Sequence, residues 1–339
     1  MKALMLDEPK DIKVVEIPIE KIKSSDEILI KVKAAGICGS DISIYNGTSP
    51  VATYPRILGH EVVGVVEEIG STVTKFKFGD HVIVKQTESC GECYACKHGR
   101  DNVCIDLKVR GVNIDGGYRE YVTVPETSAY VIPKDLDFKT AVLIEPFTIA
   151  FQACSRGRLE ADDILLVYGA GALGSSVIQV AKSFGATIIT VDIEDEKLKK
   201  AKELGASYAI NGKEQDVKEE IKKITNGYGP TICIDTVCNP KSVEFLIDVV
   251  GNAGRVVLMG FDMNESHIPQ FKITAREIDV IGSRLQHEKF EKVIDLFADK
   301  SIDPKDAISH VFHFEDISKA MEVVESRKFR KIILTFNEE

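Results

Sequence analysis

Gly169-Ala170-Gly171-Ala172-Leu173-Gly174 is the stretch that most constrains how this 339-residue chain can fold. Ile164-Leu165-Leu166-Val167 leads into it as a short apolar strand, and a helical pattern runs from Gly174 to Phe184. In that context each glycine has a separate use. Gly169 allows the tight turn, Gly171 lets the backbone approach a pyrophosphate, and Gly174 allows close packing of helix on strand. Ala172 and Leu173 lie where the helix opens, and its free N–H groups and partial positive charge suit phosphates. Asp192 stands eighteen positions after Gly174, at the end of a second strand, Thr187 to Val191. A carboxylate there accepts both ribose hydroxyls and repels a 2′-phosphate, so NAD is expected rather than NADP. A chance glycine turn is the competing reading, and the order strand, glycines, helix, acid speaks against it.

The rest of this half agrees. A second helix is expected from Glu194 to Leu204, with strands near Tyr208–Ile210, Thr231–Ile234, Arg255–Met259 and Ile278–Ile281. Strands alternating with helices imply right-handed crossovers and a parallel sheet. About six strands fit a doubly wound dinucleotide fold. The alternation is lost after Arg284. The first 150 residues read differently, with short strands at Glu27–Val32, Val62–Ile69 and His81–Val84, and another in the first nine residues. That pattern predicts a mostly β, irregular barrel-like domain. The fold class is therefore α/β, with a β-rich domain at 1–150, a Rossmann domain at 151–285 and a remaining segment at 286–339.

Cys90-x2-Cys93-x2-Cys96-x7-Cys104 gathers four of the eight cysteines. Short loops can place four thiolates around one point, and zinc takes four sulfurs tetrahedrally. Such a closed site leaves no place for a substrate, so a structural zinc is expected. Disulfides are the alternative, and a reducing compartment disfavours them. An iron–sulfur cluster needs four thiolates too, but this spacing does not match the ferredoxin runs. The N-terminus ends its apolar run too early for a signal peptide, and no run reaches the roughly 20 residues of a membrane span, so a cytoplasmic location is expected. A formal charge of −10 with no basic stripe argues against a nucleic-acid partner.

Further metal-ligand types stand at three separate places: Cys38 in Gly36-Ile37-Cys38-Gly39-Ser40-Asp41, His60 and Glu61 after Gly59, and Glu145 before Pro146. A lone cysteine or histidine is more often a core residue than a ligand. Together with Gly79-Asp80, the four-cysteine run, the Gly169–Gly174 loop and Asp192, they resemble the zinc-containing medium-chain dehydrogenase family over essentially the whole chain. The resemblance implies a GroES-like catalytic domain beside the Rossmann domain, with 286–339 returning to complete the former. It implies a second, catalytic zinc on Cys38 and His60, with Glu61 and Glu145 completing the sphere directly or through water. Two zinc ions per chain and NAD are the implied cofactors, and a homodimer or homotetramer the implied assembly. Glu145 stands where the alcohol dehydrogenases proper place a cysteine, which resembles the polyol and threonine dehydrogenase branch. Ile42–Gly47, Gly111–Gly117, Glu145–Ala150 and Met259-Gly260-Phe261 further resemble sugar-acid dehydrogenases, which oxidise hexonates such as L-galactonate or L-gulonate at the fifth carbon.

The implied chemistry is oxidation of a small-molecule alcohol. Zinc lowers the pKa of the alcohol and the nicotinamide takes a hydride. The resemblance gives Ser40 the role of proton relay and gives Asp41 the role of holding His60. A turn residue and a helix cap are the competing readings for those two. Tyr45 is a candidate pocket residue or a core tyrosine. Arg119 and Arg284 are weaker candidates for a substrate carboxylate, against ordinary surface ion pairs. The other six histidines lack ligand spacing. L-threonine 3-dehydrogenase and a sorbitol-type polyol dehydrogenase are alternative activities, and a non-catalytic NAD-binding redox sensor is an alternative of another class.

Overall fold

The computed structural model describes residues 1–336 of the chain. It divides into two compact units: residues 1–145 together with the chain from Phe290 on, and Pro146–Lys289. The last three residues of the 286–339 segment, 337–339, lie outside the described residues.

The first unit is built on one long strand, Glu27–Ile37. It pairs antiparallel with Glu61–Ile69, Tyr121–Pro125 and Lys331–Thr335. Beyond these, Ile308–His313 runs parallel to Lys331–Thr335, and His81–Val84 and Ala129–Val131 extend the opposite side. A smaller sheet joins Asp11–Glu16, Lys2–Glu8 and Arg56–Ile57. The core is aliphatic, with Ile28, Ile30, Val32, Val66, Val124 and Ile332 all fully buried. The expected strand 27–32 continues to Ile37 through Lys33-Ala34-Ala35-Gly36, residues with little intrinsic strand preference. Register shifts between Leu29 and Ile30 and between Val32 and Ala34 bend the strand on its way there.

The second unit contains a six-stranded, wholly parallel sheet. In space the strands run Tyr208–Asn211, Thr187–Asp192, Ile164–Tyr168, Ile232–Asp235, Arg255–Leu258, Asp279–Gly282. The first strand in sequence thus sits in the middle, and successive strands are laid to either side of it. Helices Ala172–Phe184, Asp195–Leu204, Val217–Ile224 and Pro240–Val249 connect them. Central strands covered on both faces must be apolar throughout. Accordingly Leu166, Ile189, Cys233 and Val256 are fully buried in one cluster. Cys233 acts there as a small hydrophobe. Gly169 follows the central strand at the point where strand order reverses, the ligand-binding position of open α/β sheets.

Candidate active site

Cys38 leaves the end of strand Glu27–Ile37 in an extended conformation (φ −101°, ψ 160°) and caps the short helix Gly39–Tyr45. Glu61 begins the neighbouring strand, with His60 immediately before it, and Glu61 is paired in register with Gly36. The register matters, because a Cβ on Gly36 would lie 1.9 Å from Glu61 Oε2. Glycine at 36 is what lets the carboxylate lie over the strand. As a result one ligand atom each from Cys38, His60 and Glu61 lies within 4.8 Å of the others. His60 and Glu61 are buried, and Cys38 is half-buried.

Buried charges hold this group in place. Lys331 Nζ contacts both Glu61 oxygens, at 2.6 and 2.8 Å, and reaches the Ile37 carbonyl at 3.4 Å. Burial alone would pull the Lys331 ammonium down, but Glu61 and Cys38 hold it above its ordinary value. Asp41 Oδ2 accepts from the Cys38 amide (2.9 Å) and from the Tyr118 hydroxyl (3.0 Å). Asp41 Oδ1 stands 3.5 Å from His60 Nδ1, an ion-pair distance without hydrogen-bond geometry, so Nδ1 is buried with no hydrogen-bond partner. Burial pushes the Asp41 carboxyl up, yet His60, the Cys38 amide and Tyr118 keep it below the usual range. The same burial pushes the Tyr118 phenol well up, and Asp41 adds to it, so Tyr118 stays a donor.

Glu145 is not one of the three clustered ligands. It opens helix Ile144–Arg156 and accepts a 2.7 Å hydrogen bond on Oε1 from Gln86 Nε2. Burial raises its carboxyl to about 7, with Glu61 and Asp41 acting in the same direction and His60 and Lys331 against. Ser40 is exposed in the first turn of helix Gly39–Tyr45. Asp41 is a helix-capping residue, since it closes a capping box with Cys38, and its carboxylate faces His60 without a hydrogen bond to it.

Cys90, Cys93, Cys96 and Cys104 converge on one point. Their sulfurs stand 3.4 Å apart (Cys90–Cys104), 3.5 Å (Cys93–Cys96), 3.9 Å (Cys93–Cys104) and 4.0 Å (Cys90–Cys96). All four are free thiols, not disulfides. Zn–S bonds of about 2.3 Å in a tetrahedron put sulfurs roughly 3.8 Å apart, so the group fits zinc. The backbone amides of Cys96 and Ile105 draw the Cys93 thiol down to about 6. Thiols this close cannot all ionise without a cation among them. The Cys38–His60–Glu61 group, with sulfur, nitrogen and oxygen donors, also suits zinc but presents three ligands among the described residues. That is the pattern of a site with an open position.

Gly169 has φ +101°, and a Cβ on Gly174 would lie 2.0 Å from the Gly169 carbonyl oxygen. Both are therefore required by the turn itself. Gly171 differs, since a Cβ there would meet nothing within 4 Å. It caps helix Ala172–Phe184 beside open space, as a phosphate cradle requires. Asp192 turns back over this loop. Its Oδ2 accepts from the Ala170 amide (2.8 Å), and its Oδ1 accepts from Ile193 (2.7 Å) and Glu194 (3.1 Å). Ribose hydroxyls would share the carboxylate with these three donors.

Residues 24–134 match the family described as alcohol dehydrogenase GroES-like domain, and residues 172–299 match zinc-binding dehydrogenase. The starvation-sensing protein RspB of Escherichia coli K12 is 40% identical over 342 residues, covering 100% of both chains. The chain belongs to the zinc-containing medium-chain dehydrogenase family. Sorbitol dehydrogenase of Bacillus subtilis is 36% identical over 95% of this chain and 93% of its own. L-galactonate-5-dehydrogenase of E. coli K12 is 31% identical over 99% of each. The crystal structure of an E. coli CFT073 alcohol dehydrogenase (rspB) complexed with NADH superimposes with a TM-score of 0.93, at 39% identity and 99% coverage of both chains.

As a medium-chain dehydrogenase the chain carries the family's GroES-like and Rossmann folds, and it is an oxidoreductase acting on an alcohol with zinc and a nicotinamide dinucleotide. No helix among the described residues is long and apolar enough to cross a membrane. One expectation needs correction. Arg119 is no surface residue: it is buried and paired with Glu20 at 2.7 Å. Arg284 lies 5.5 Å from the ring centroid of Phe261, within cation–π range. Tyr45 belongs to the hydrophobic core. Sequence reasoning missed Lys331, Tyr118 and Gln86. Lys331 opens an apolar strand and Gln86 follows one, and neither position signals a buried partner nearly 60 or more residues away. Only Tyr118 had a local sign, since Gly116-Gly117 before it permits close approach.

Proposed function

We propose that this dehydrogenase oxidises a secondary alcohol of a polyhydroxylated substrate, a polyol or a hexonate such as L-galactonate or L-gulonate, with NAD. The observation that carries the reading is the three-ligand group of Cys38, His60 and Glu61 beside a second buried carboxylate, Glu145. Cys38 and His60 would hold the catalytic zinc, with Glu61 or Glu145 exchanging as a further ligand. The four cysteines would hold the structural zinc. When bound, zinc supplies Lewis acidity that acidifies the substrate hydroxyl, and NAD supplies the hydride acceptor. Asp41 would keep the His60 ring oriented, and Ser40, exposed in the first turn of the helix that Cys38 caps, would accept and pass on the hydroxyl proton. Gly169, Gly171, Ala172, Leu173 and Gly174 would cradle the pyrophosphate, and Asp192 would accept the ribose hydroxyls. The NADH-bound relative supports NAD as acceptor. The galactonate and sorbitol relatives support the polyhydroxylated class, and the sorbitol one favours plain polyols within it. A cytoplasmic homodimer or homotetramer completes the reading.

A panel of hexonates, polyols and L-threonine with NAD, followed at the nicotinamide absorbance, tests it. Turnover of a hexonate or polyol with threonine inert is expected. Threonine as the one substrate used would replace this reading with a threonine 3-dehydrogenase. No turnover of any alcohol, with NAD still bound, would favour a redox sensor.

A further inference from the structure

Tyr118 is buried, and its hydroxyl sits between two acceptors, 2.9 Å from the Gly36 carbonyl and 3.0 Å from Asp41 Oδ2. These acceptors belong to the two sides of the metal-ligand group. Gly36 is the register partner of Glu61, and Asp41 faces His60. The ring has its own role. A Cβ on Gly59 would lie 2.2 Å from Tyr118 Cδ1, so the ring packs closely against the turn that delivers His60. Tyr118 also accepts and donates backbone hydrogen bonds, from Leu4 (2.8 Å) and to Leu58 (3.0 Å). It is therefore fixed independently of Asp41.

The Asp41 carboxylate has a soft terminal torsion, and its orientation is set by its donors. Oδ2 takes the Cys38 amide and Tyr118; Oδ1 has only a long 3.4 Å contact from the Gly59 amide besides His60 Nδ1. We propose that Tyr118 is a positioning residue for the metal centre: its hydroxyl fixes the rotation of Asp41 so that Oδ1 stays against His60 Nδ1. That leaves the other ring nitrogen with its lone pair for the metal. A carboxylate behind a ligating histidine raises the ligand's basicity and fixes its tautomer, and losing such a partner costs 10- to 100-fold in affinity. Tyr118 acts one residue further out, so a smaller effect follows. The inference rests on the zinc reading of Cys38 and His60.

The test is zinc release from the full-length, zinc-loaded protein to a colorimetric chelator. Cys38→Ser and Cys93→Ser assign the release phases of the two sites. Tyr118→Phe keeps the ring and removes the hydroxyl. Release from the Cys38 site should quicken about 3- to 10-fold, with the four-cysteine phase unchanged, and the visible bands of the cobalt-substituted Cys38 site should shift. Unchanged release and unchanged bands would overturn the proposal, even if the melting temperature fell, because that pattern describes a core tyrosine only. Should Tyr118→Phe fail to fold, fluorotyrosine placed at 118 alone strengthens the donor without removing it. Slower release then supports the proposal and unaltered release overturns it. If Cys38→Ser abolishes no release phase in the otherwise native protein, the zinc reading itself has failed, and the Tyr118 proposal falls with it.

Discussion

The two metal-ligand groups of this chain are built in opposite ways. The four cysteines lie within fifteen residues, on short turns, and three of them remain at least partly exposed. What orders them is contact with one another and with backbone amides: Cys90 and Asp106 donate to Cys104 Sγ, and Cys93 donates to Cys90 Sγ. The Cys38 group is drawn from the ends of two paired strands and braced by Lys331, Asp41 and Tyr118, all buried. On the proposed zinc reading the first group would need its metal to have a shape, since a lobe with few core residues takes its folding energy from coordination. The second has its shape already, and the metal enters a scaffold held by ion pairs and hydrogen bonds. That difference fits the roles proposed for them: a closed clip would stabilise, whereas an open site would have to stay rigid while substrate comes and goes.

The contrast can be broken most forcefully at Lys331. Lys331→Met removes the cation and leaves the Glu61 carboxylate buried without its partner. Breaking a buried pair on one side costs about 3–5 kcal/mol, so urea unfolding of the first unit should lose that much. A loss under about 1 kcal/mol, within the range of surface pairs, would show that the scaffold does not depend on this pair. A finer test is chelation of the wild-type protein followed by amide hydrogen exchange. Protection should fall about 100-fold across residues 88–107 and change little at 36–41 and 59–66. Equal losses in both places would mean that the open site, too, takes its shape from the metal.

The same difference explains what could be read from sequence. The clip was legible because its ligands are neighbours and spacing alone carries the geometry. The dinucleotide loop was legible for the same reason, as Ile164 to Asp192 span one strand, one helix and one further strand. Cys38, His60 and Glu61 were gathered only through family resemblance, since no local rule joins the ends of two strands. Apart from Asp41, named through the same resemblance, their braces were not legible. Lys331 lies 270 residues from Glu61, and Gln86 lies 59 from Glu145. Register brings such residues together, and it is fixed by the whole sheet. The end of strand Glu27–Ile37 was missed because Ala34-Ala35-Gly36 lacks strand character; tertiary demands overrode propensity there, Gly36 being needed to admit Glu61.

If the chain holds two separate zinc sites and only the one on Cys38 and His60 does chemistry, zinc per chain and substrate-dependent NADH production must change together in a defined way. Wild type should carry two equivalents and turn over. Cys38→Ser should carry one, still bind NAD, and lose turnover by about a thousandfold or more, the several kcal/mol that a Lewis acid supplies. A Cys38→Ser protein that keeps two zinc ions, or that turns over at the wild-type rate with one, would contradict the account.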